Sequence, residues 1–149
     1  MKYSGNPNKF FSPADSERIN RAIAECEKNT SAEIKLSVTR HCWDDIGVKA
    51  AKIFKKLGLD KTDRRNCVMI LLVLANREFL IYGDTGINQK VDQDFWNDVR
   101  DTMAEDFSNG NFADGVIKAI KMSGQKLAEY FPPEIDDKDE VSNEIAYED

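Results

Sequence analysis

The sequence has few of the residues on which common hydrolase chemistry depends. It contains a single histidine, His41, and three cysteines, Cys26, Cys42 and Cys67, none of which belongs to a Cys-x-x-Cys unit. It also lacks a Gly-rich phosphate loop and a His-x-x-x-His pair. A catalytic Ser-His-Asp or Cys-His arrangement would have to form around His41. These absences exclude a disulfide framework and a zinc site, and any hydrolysis would have to depend on a metal ion or a carboxylate.

Long apolar runs and a basic surface are also missing. No segment reaches the roughly 18 apolar residues of a membrane span, and the first residues lack the apolar core of a signal peptide. We therefore expect a cytoplasmic protein, or one outside the cytoplasm if a leader was removed. The formal net charge is −6, but residues 134–149 hold eight acidic residues and one lysine, so residues 1–133 sum to about +1. A near-neutral body predicts no nucleic-acid partner; we expect a monomer and leave a protein partner open.

The residues that are present predict a mixed α/β domain. Ser12 and Pro13 mark a helix start, and the apolar spacing after them is helical. Residues 33–39 alternate apolar and polar, which predicts a half-covered strand. Residues 67–75 are continuously apolar, as in a central strand buried on both faces. Asn76 and Arg77 form a turn into a third strand at residues 78–82, and two further helices follow, capped near Asp92 and Asn111.

This order of elements predicts a three-layer αβα sandwich. A strand–helix–strand crossover makes the first two strands parallel, and the tight turn makes the third strand antiparallel to the second. About four helices would cover the two faces of this small mixed sheet. We assign residues 1–11 to an N-terminal extension, residues 12–133 to the domain, and residues 134–149 to a disordered acidic tail.

The predicted topology brings several polar residues to one end of the sheet. Glu33 starts the first strand, Asn66 precedes the second, and Asp84 follows the third in a Gly-flanked turn. Oxygen ligands of this kind suit Ca²⁺ or Mg²⁺, and Asp63 or Asp92 could supply a further oxygen.

Each acid also has a structural explanation. Glu33 could be a solvated edge residue or pair with Arg64, since a carboxylate inside a strand needs a partner if buried. Asp84 could form an Asx-type turn, and Asp92 could cap a helix.

The order of short motifs resembles that of the TPM-domain family over roughly residues 11–132. The motifs are Thr30-Ser31-Ala32-Glu33-Ile34, Leu57-Gly58-Leu59 with Thr62, Arg65-Asn66-Cys67-Val68, Tyr82-Gly83-Asp84-Thr85-Gly86-Ile87, Phe95-Trp96, the Phe107 to Gly115 pattern of Phe and Gly, and Tyr130-Phe131-Pro132. The resemblance implies an αβα sandwich of the kind found in bacterial envelope proteins, a plant thylakoid repair protein and an animal receptor modulator. The positions here that match its shared polar motifs are Glu33, Arg65, Asn66 and Asp84, with Thr85 beside them.

Three functions are compatible with these residues. The first is a Ca²⁺- or Mg²⁺-binding accessory module with Glu33 and Asp84 as ligands and Arg65 and Asn66 organising the site. The second is a metal-assisted acid phosphatase in which Arg65 holds phosphate, an activity that the resemblance implies for the plant branch. The third is a metal-independent protein-interaction scaffold in which the polar cluster only fixes loops.

Overall fold

Helices and a four-stranded sheet account for most of the chain in the computed structural model, which describes residues 6–134 and 141–148. Two 3₁₀ turns, η1 and η2, accompany five α-helices. In chain order the elements are η1 (Pro7–Lys9), α1 (Pro13–Glu27), β1 (Glu33–Thr39), α2 (Ile46–Lys56), η2 (Leu59–Lys61), β2 (Cys67–Val73), β3 (Glu78–Gly83), α3 (Thr85–Asn88), α4 (Gln93–Ser108), α5 (Phe112–Tyr130) and β4 (Ala146–Glu148).

The sheet has the strand order β3-β2-β1-β4. β1 and β2 run parallel, with Glu33 opposite Cys67 and Thr39 opposite Val73. β3 is antiparallel to β2, as the turn at Arg77 predicts; Arg77 takes the left-handed conformation there, with φ at 56°. The predicted mixed sheet is thus confirmed.

Alternate residues of the sheet face two separate apolar cores. On one face, Ile34, Leu36 and Val38 of β1 pack in the cluster that holds α1, α4 and α5. On the other face, the odd-numbered residues of β2 pack with Ile53 and Phe54 of α2. All seven residues of β2 are buried. This arrangement confirms the three-layer αβα sandwich and the central position of β2.

β1 is more deeply covered than its alternating sequence indicates. The half-covered strand that we predicted is wrong, because all seven residues of β1 are buried, including Lys35, Ser37 and Thr39. Residues 141–148 account for much of this cover. Val141 packs in the α2 core and Tyr147 in the opposite core.

The same contacts correct the prediction of a disordered tail. Ala146–Glu148 form β4, which pairs with β1 in parallel at Ser37 to Thr39. Acidic composition suggested a solvated segment, but the apolar residues between the acids are spaced so that they reach both cores. Residues 135–140 and 149 of the predicted tail lie outside the described residues.

The helix boundaries follow local chemistry. The Ser12 side chain accepts a hydrogen bond from the Asp15 N–H, as predicted for the start of α1. Gly110, with φ at 78°, separates α4 from α5. The sequence did not indicate the short helix α3, which begins where we expected only a turn after Asp84. Among the helices within residues 6–134 and 141–148, none is long and apolar enough to cross a membrane.

Candidate functional site

The predicted convergence of polar residues at one end of the sheet is present. The Glu33 N–H donates to the Asn66 carbonyl at 3.2 Å, and the Asp84 N–H donates to the Cys67 carbonyl at 3.0 Å. These bonds join the start of β1, the start of β2 and the end of β3. We call this region the Asp84 end.

Asp84 forms a bidentate ion pair with Arg65. Arg65 Nε lies 2.7 Å from Asp84 Oδ2, and Arg65 Nη2 lies 2.8 Å from Oδ1. Oδ1 also accepts the Thr85 N–H at 2.7 Å, which places Asp84 at the N-cap of α3. The Asp84 side chain is 4% exposed, whereas that of Arg65 is 48% exposed. The hydrogen bond to Asp84 raises the pKa of Arg65 above its ordinary value, and the Arg65 side of the pair faces solvent.

The backbone of the loop before β2 lies very close to the backbone at the start of α3. The Gly86 N–H donates to the Arg65 carbonyl at 2.9 Å. A Cβ at position 86 would lie 2.2 Å from the Arg64 carbonyl oxygen and 2.6 Å from that of Arg65. Only glycine fits here, and the loop before β2 is therefore held directly against the start of α3.

Glu33 is neither solvated nor paired with Arg64. Its exposure is 3%, and Arg64 forms its ion pair with Glu134 instead. Glu33 lies near Cys67, whose thiol pKa is raised first by burial and then by the charges of Glu33, Glu27 and Asp84. Three carboxylates therefore act on one buried position at the Asp84 end.

Several buried oxygens at the Asp84 end have no hydrogen-bond donor among the described residues. They are Ser31 Oγ, Asp60 Oδ1 and Asn66 Oδ1. The Asn66 amide nitrogen donates to the Ser31 carbonyl at 3.3 Å, and Asp60 acts electrostatically on Arg65, so these residues belong to the same region. Orphaned buried polar atoms are rare in native proteins because each costs free energy.

The other predicted ligands are at the protein surface. Asp63 follows η2 and Asp92 precedes α4, and both are exposed. Asp92 occupies the N-cap of α4 but its side chain makes no capping bond. In the described part of the chain, no three His, Cys, Asp or Glu side chains are close enough to hold a metal ion together. A cation here would need neutral oxygens as well as carboxylates, and the ligand roles of Asp63 and Asp92 stay predictions.

Three residues of this region were missed by sequence reasoning as site residues. Ser31 and Asp60 lie in segments that were placed at this end, but nothing in their local sequence marks them as buried oxygens. Glu27, the last residue of α1, accepts the Ile34 N–H at 3.0 Å. Its position at the end of α1, directly before the short loop into β1, was the available signal.

His41 lies at the opposite end of the sheet and offers no hydrolytic dyad. Its ring contacts that of Trp43, with 4.9 Å between the ring centroids. The thiol of the neighbouring Cys42 donates to the Asp44 carbonyl at 2.9 Å. His41 is therefore not among the groups of the Asp84 end.

Fold and site together define a three-layer α/β domain with a polar site where β1, β2 and α3 meet. The family model of the TPM domain matches residues 6–126. The chain belongs to the TPM-domain family, and the resemblance of its motifs is confirmed.

Solved structures agree with this assignment. The chain is similar to the BA42 protein of the psychrophilic bacterium Bizionia argentinensis, with 37% sequence identity and a TM-score of 0.88 over 93% of this chain and 96% of that chain. It shares its fold with the N-terminal domain of a protein from P. gingivalis, with 18% identity and a TM-score of 0.69 over 83% and 80% of the two chains. No curated protein matches the chain.

Proposed function

We propose that this TPM domain is a binding or accessory module that takes up a divalent cation, Ca²⁺ or Mg²⁺, at the Asp84 end. The observation that supports this function best is the group of buried oxygens without donors, Ser31 Oγ, Asp60 Oδ1 and Asn66 Oδ1, around the Arg65–Asp84 pair. Hard cations prefer oxygen ligands of mixed charge, including carboxylates and amide carbonyls. The carboxylates of Asp84 and Glu33 and the amide oxygen of Asn66 are ligands of the type that either ion prefers.

The chain's own residues have distinct roles in this proposal. Asp84 and Glu33 would hold the ion with their carboxylates, and Asn66 would contribute its amide oxygen. Arg65 serves as the counter-charge of Asp84 in the absence of a divalent ion. Since its side chain is about half exposed, it can turn into solvent without disturbing the core. The competition between Arg65 and a cation predicts a weak site, with dissociation constants in the range of extracellular Ca²⁺ modules, about 10⁻⁴ to 10⁻³ M.

Isothermal titration with CaCl₂ and MgCl₂ tests this function directly. Wild type and Asp101→Asn, which alters an exposed acid of α4, should bind with the same affinity. Asp84→Asn should lose binding. Equal titration curves for Asp84→Asn and wild type would place any bound ion elsewhere and contradict the proposal.

A second candidate function is a metal-assisted phosphatase. It is favoured by the exposure of Arg65: the side chain is 48% exposed although Nε and Nη2 are bound to Asp84, so part of the guanidinium is available to phosphate oxygens. A bound divalent ion would supply further charge stabilisation of the phosphate. Hydrolysis of p-nitrophenyl phosphate with Mg²⁺, lost in Asp84→Asn, is the expected result, and no turnover by folded wild type rules this candidate out.

The third candidate, a metal-independent scaffold, is favoured by the bonds that hold the loops together. Asp84 accepts three hydrogen bonds, and Gly86 fixes the loop before β2 against α3. Melting temperatures that are identical with EDTA and with divalent ions, together with no phosphate-ester turnover, would leave this candidate in place.

A further inference from the structure

The C-terminal segment, residues 141–148, lies in a groove along β1 on the side of the sheet away from β2. The groove is formed by β1, by α2 on one face of the sheet, and by η1 with α1 on the other. It differs from the Asp84 end in its ligand chemistry, because its contacts are made with peptide backbone, with apolar side chains and with one carboxylate.

Main-chain pairing is the first type of contact in this groove. Ala146, Tyr147 and Glu148 pair in parallel with Ser37, Val38 and Thr39. The Arg40 N–H continues the pairing by donating to the Glu148 carbonyl at 3.1 Å. Such pairing with a sheet edge recognises any extended segment, since it uses only backbone groups.

Lys35 is the second and more unusual contact. Its Nζ donates to the Ser142 carbonyl at 3.0 Å and to the Glu144 carbonyl at 2.6 Å. The residue is only 7% exposed. Burial of an ammonium group is costly unless it is hydrogen-bonded, so β1 keeps a buried cation whose partners include backbone carbonyls of an extended segment. The Lys35 ammonium group can therefore bind the backbone of an extended peptide.

Side-chain contacts determine which peptide sequences the groove prefers. Val141 enters the α2 core, and Ile145 and Tyr147 pack against the opposite core. The Glu148 carboxylate, 18% exposed, lies 2.9 Å from Lys56 Nζ. Residues 141–148 contain two acids and no basic residue, so the groove selects an acidic segment with apolar residues at intervals.

The pairing of β4 is short in comparison with the rest of the sheet. β4 has three residues, whereas β1 and β2 pair over seven. A short edge strand with few backbone bonds opens at a lower free energy than the central strands. We therefore expect β4 to separate from β1 at a lower free energy than the central strands, a step that also withdraws Val141 and Tyr147 from the two cores.

We propose that the β1 groove is a binding site for an extended, acidic peptide segment of a partner protein. The chain's own C-terminal segment is its resident ligand and blocks the groove until it is released. Tethering makes the effective concentration of the resident segment about millimolar, so a partner binds well only when that segment is detached or when the partner's segment binds more tightly.

The test uses the full-length chain with the double substitution Val141→Asp and Ala146→Pro, which places a charge in the α2 core and removes an N–H from β4. The probe is a fluorescently labelled peptide with the sequence of residues 141–149, followed by anisotropy. The double variant should bind this peptide at least ten-fold more tightly than wild type. Adding Lys35→Met to the double variant, or replacing both glutamates of the peptide by lysine, should each weaken binding at least ten-fold.

Two results overturn the proposal. One is equal binding of the peptide to wild type and to the double variant, which would place it outside the groove. The other is no binding to a double variant whose circular dichroism shows a folded protein.

Hydrogen exchange on wild type provides a measurement that does not depend on the double variant folding. The amides of β4 should exchange at least 100-fold faster than those of β2. Equal exchange rates would show that the segment leaves only on global unfolding and would also overturn the proposal.

Discussion

At the scale of single residues, the Asp84 end depends on a close backbone contact at Gly86 as much as on charge. The Arg65–Asp84 pair supplies the charge, and Gly86 permits the loop before β2 to contact the start of α3. A carbonyl oxygen 2.2 Å from a hypothetical Cβ belongs to rigid backbone, so the strain of a larger residue cannot be relieved by a side-chain rotation.

Gly86→Ala should therefore destabilise the domain by about 3 kcal/mol or more, the upper range for overpacking. Gly47→Ala is the matched control, because the only atom near its Cβ is the end of the Asp45 side chain, at 3.0 Å. We expect the control to change stability by less than about 1 kcal/mol. Urea denaturation followed by circular dichroism measures both, and equal effects of the two substitutions would contradict the close approach at Gly86.

Cys67 predicts a pH dependence of stability. Burial, with the charges of Glu33 and Glu27, raises the pKa of its thiol above the ordinary value of about 9. The stability contributed by the neutral thiol is therefore complete below pH 9 and is lost as pH rises, since only the unfolded chain ionises there. Wild type should lose up to about 1.4 kcal/mol per pH unit above pH 9 relative to Cys67→Val. Urea titrations at pH 8, 9, 10 and 11 measure this, and parallel curves for the two proteins would contradict it.

Part of the candidate site could be predicted from the sequence for a topological reason. Parallel β1 and β2 and antiparallel β3 determine that Glu33, Asn66 and Asp84 share one end of the sheet. The ion pair between Arg65 and Asp84, and the burial of Asp60 Oδ1, depend on the path of the loop before β2. No periodicity encodes that path, so these contacts could not be predicted.

At the scale of elements, the helix starts differ in how their backbone N–H groups are satisfied. The Ser12 hydroxyl accepts the Asp15 N–H at 3.1 Å at the start of α1. Asn111 occupies the same position of α5 without a side-chain cap bond. Ser12 and Asn111 have similar capping preferences, but only Ser12 stabilises its helix through a side-chain cap bond.

Ser12→Ala should lower the free energy of unfolding by about 1 kcal/mol, the usual value of an N-cap bond. Asn111→Ala should change it by only a few tenths of a kcal/mol, because no side-chain cap bond is lost. Chemical denaturation of the two variants beside wild type measures the difference. A larger loss for Asn111→Ala than for Ser12→Ala would contradict these cap assignments.

The elements that could be predicted are those with a strong local pattern. The continuous apolar run of β2 and the capped start of α1 depend on neighbouring residues. β4 and the full burial of β1 depend on a contact between residues more than 100 positions apart, such as Lys35 with Ser142. The acidic composition around Val141 and Tyr147 concealed this contact, since charge content is an average over residues that face different surroundings.

At the scale of the whole molecule, two surfaces with different chemistry lie on one sandwich. The Asp84 end combines carboxylates, neutral oxygens and a cationic side chain that faces solvent. The β1 groove combines a sheet edge, a buried ammonium group and two apolar cores. The two proposals therefore assign a small cation and a peptide to different places on the sandwich, and β1 contributes to both.

The most direct test of the cation site is a thermal melt of wild type and Arg65→Gln, with EDTA and with millimolar CaCl₂. Without Arg65, the buried Asp84 carboxylate loses its counter-charge, so the variant should melt below wild type in EDTA. Ca²⁺ should then stabilise the variant more than wild type, because the competing guanidinium is gone. At ten times the dissociation constant, which 1 mM CaCl₂ reaches for a site of about 10⁻⁴ M, the gain is about 1.4 kcal/mol, a rise of roughly 3–6 °C for a domain of this size. Melting temperatures that do not change with Ca²⁺ in either protein would contradict a cation site at the Asp84 end.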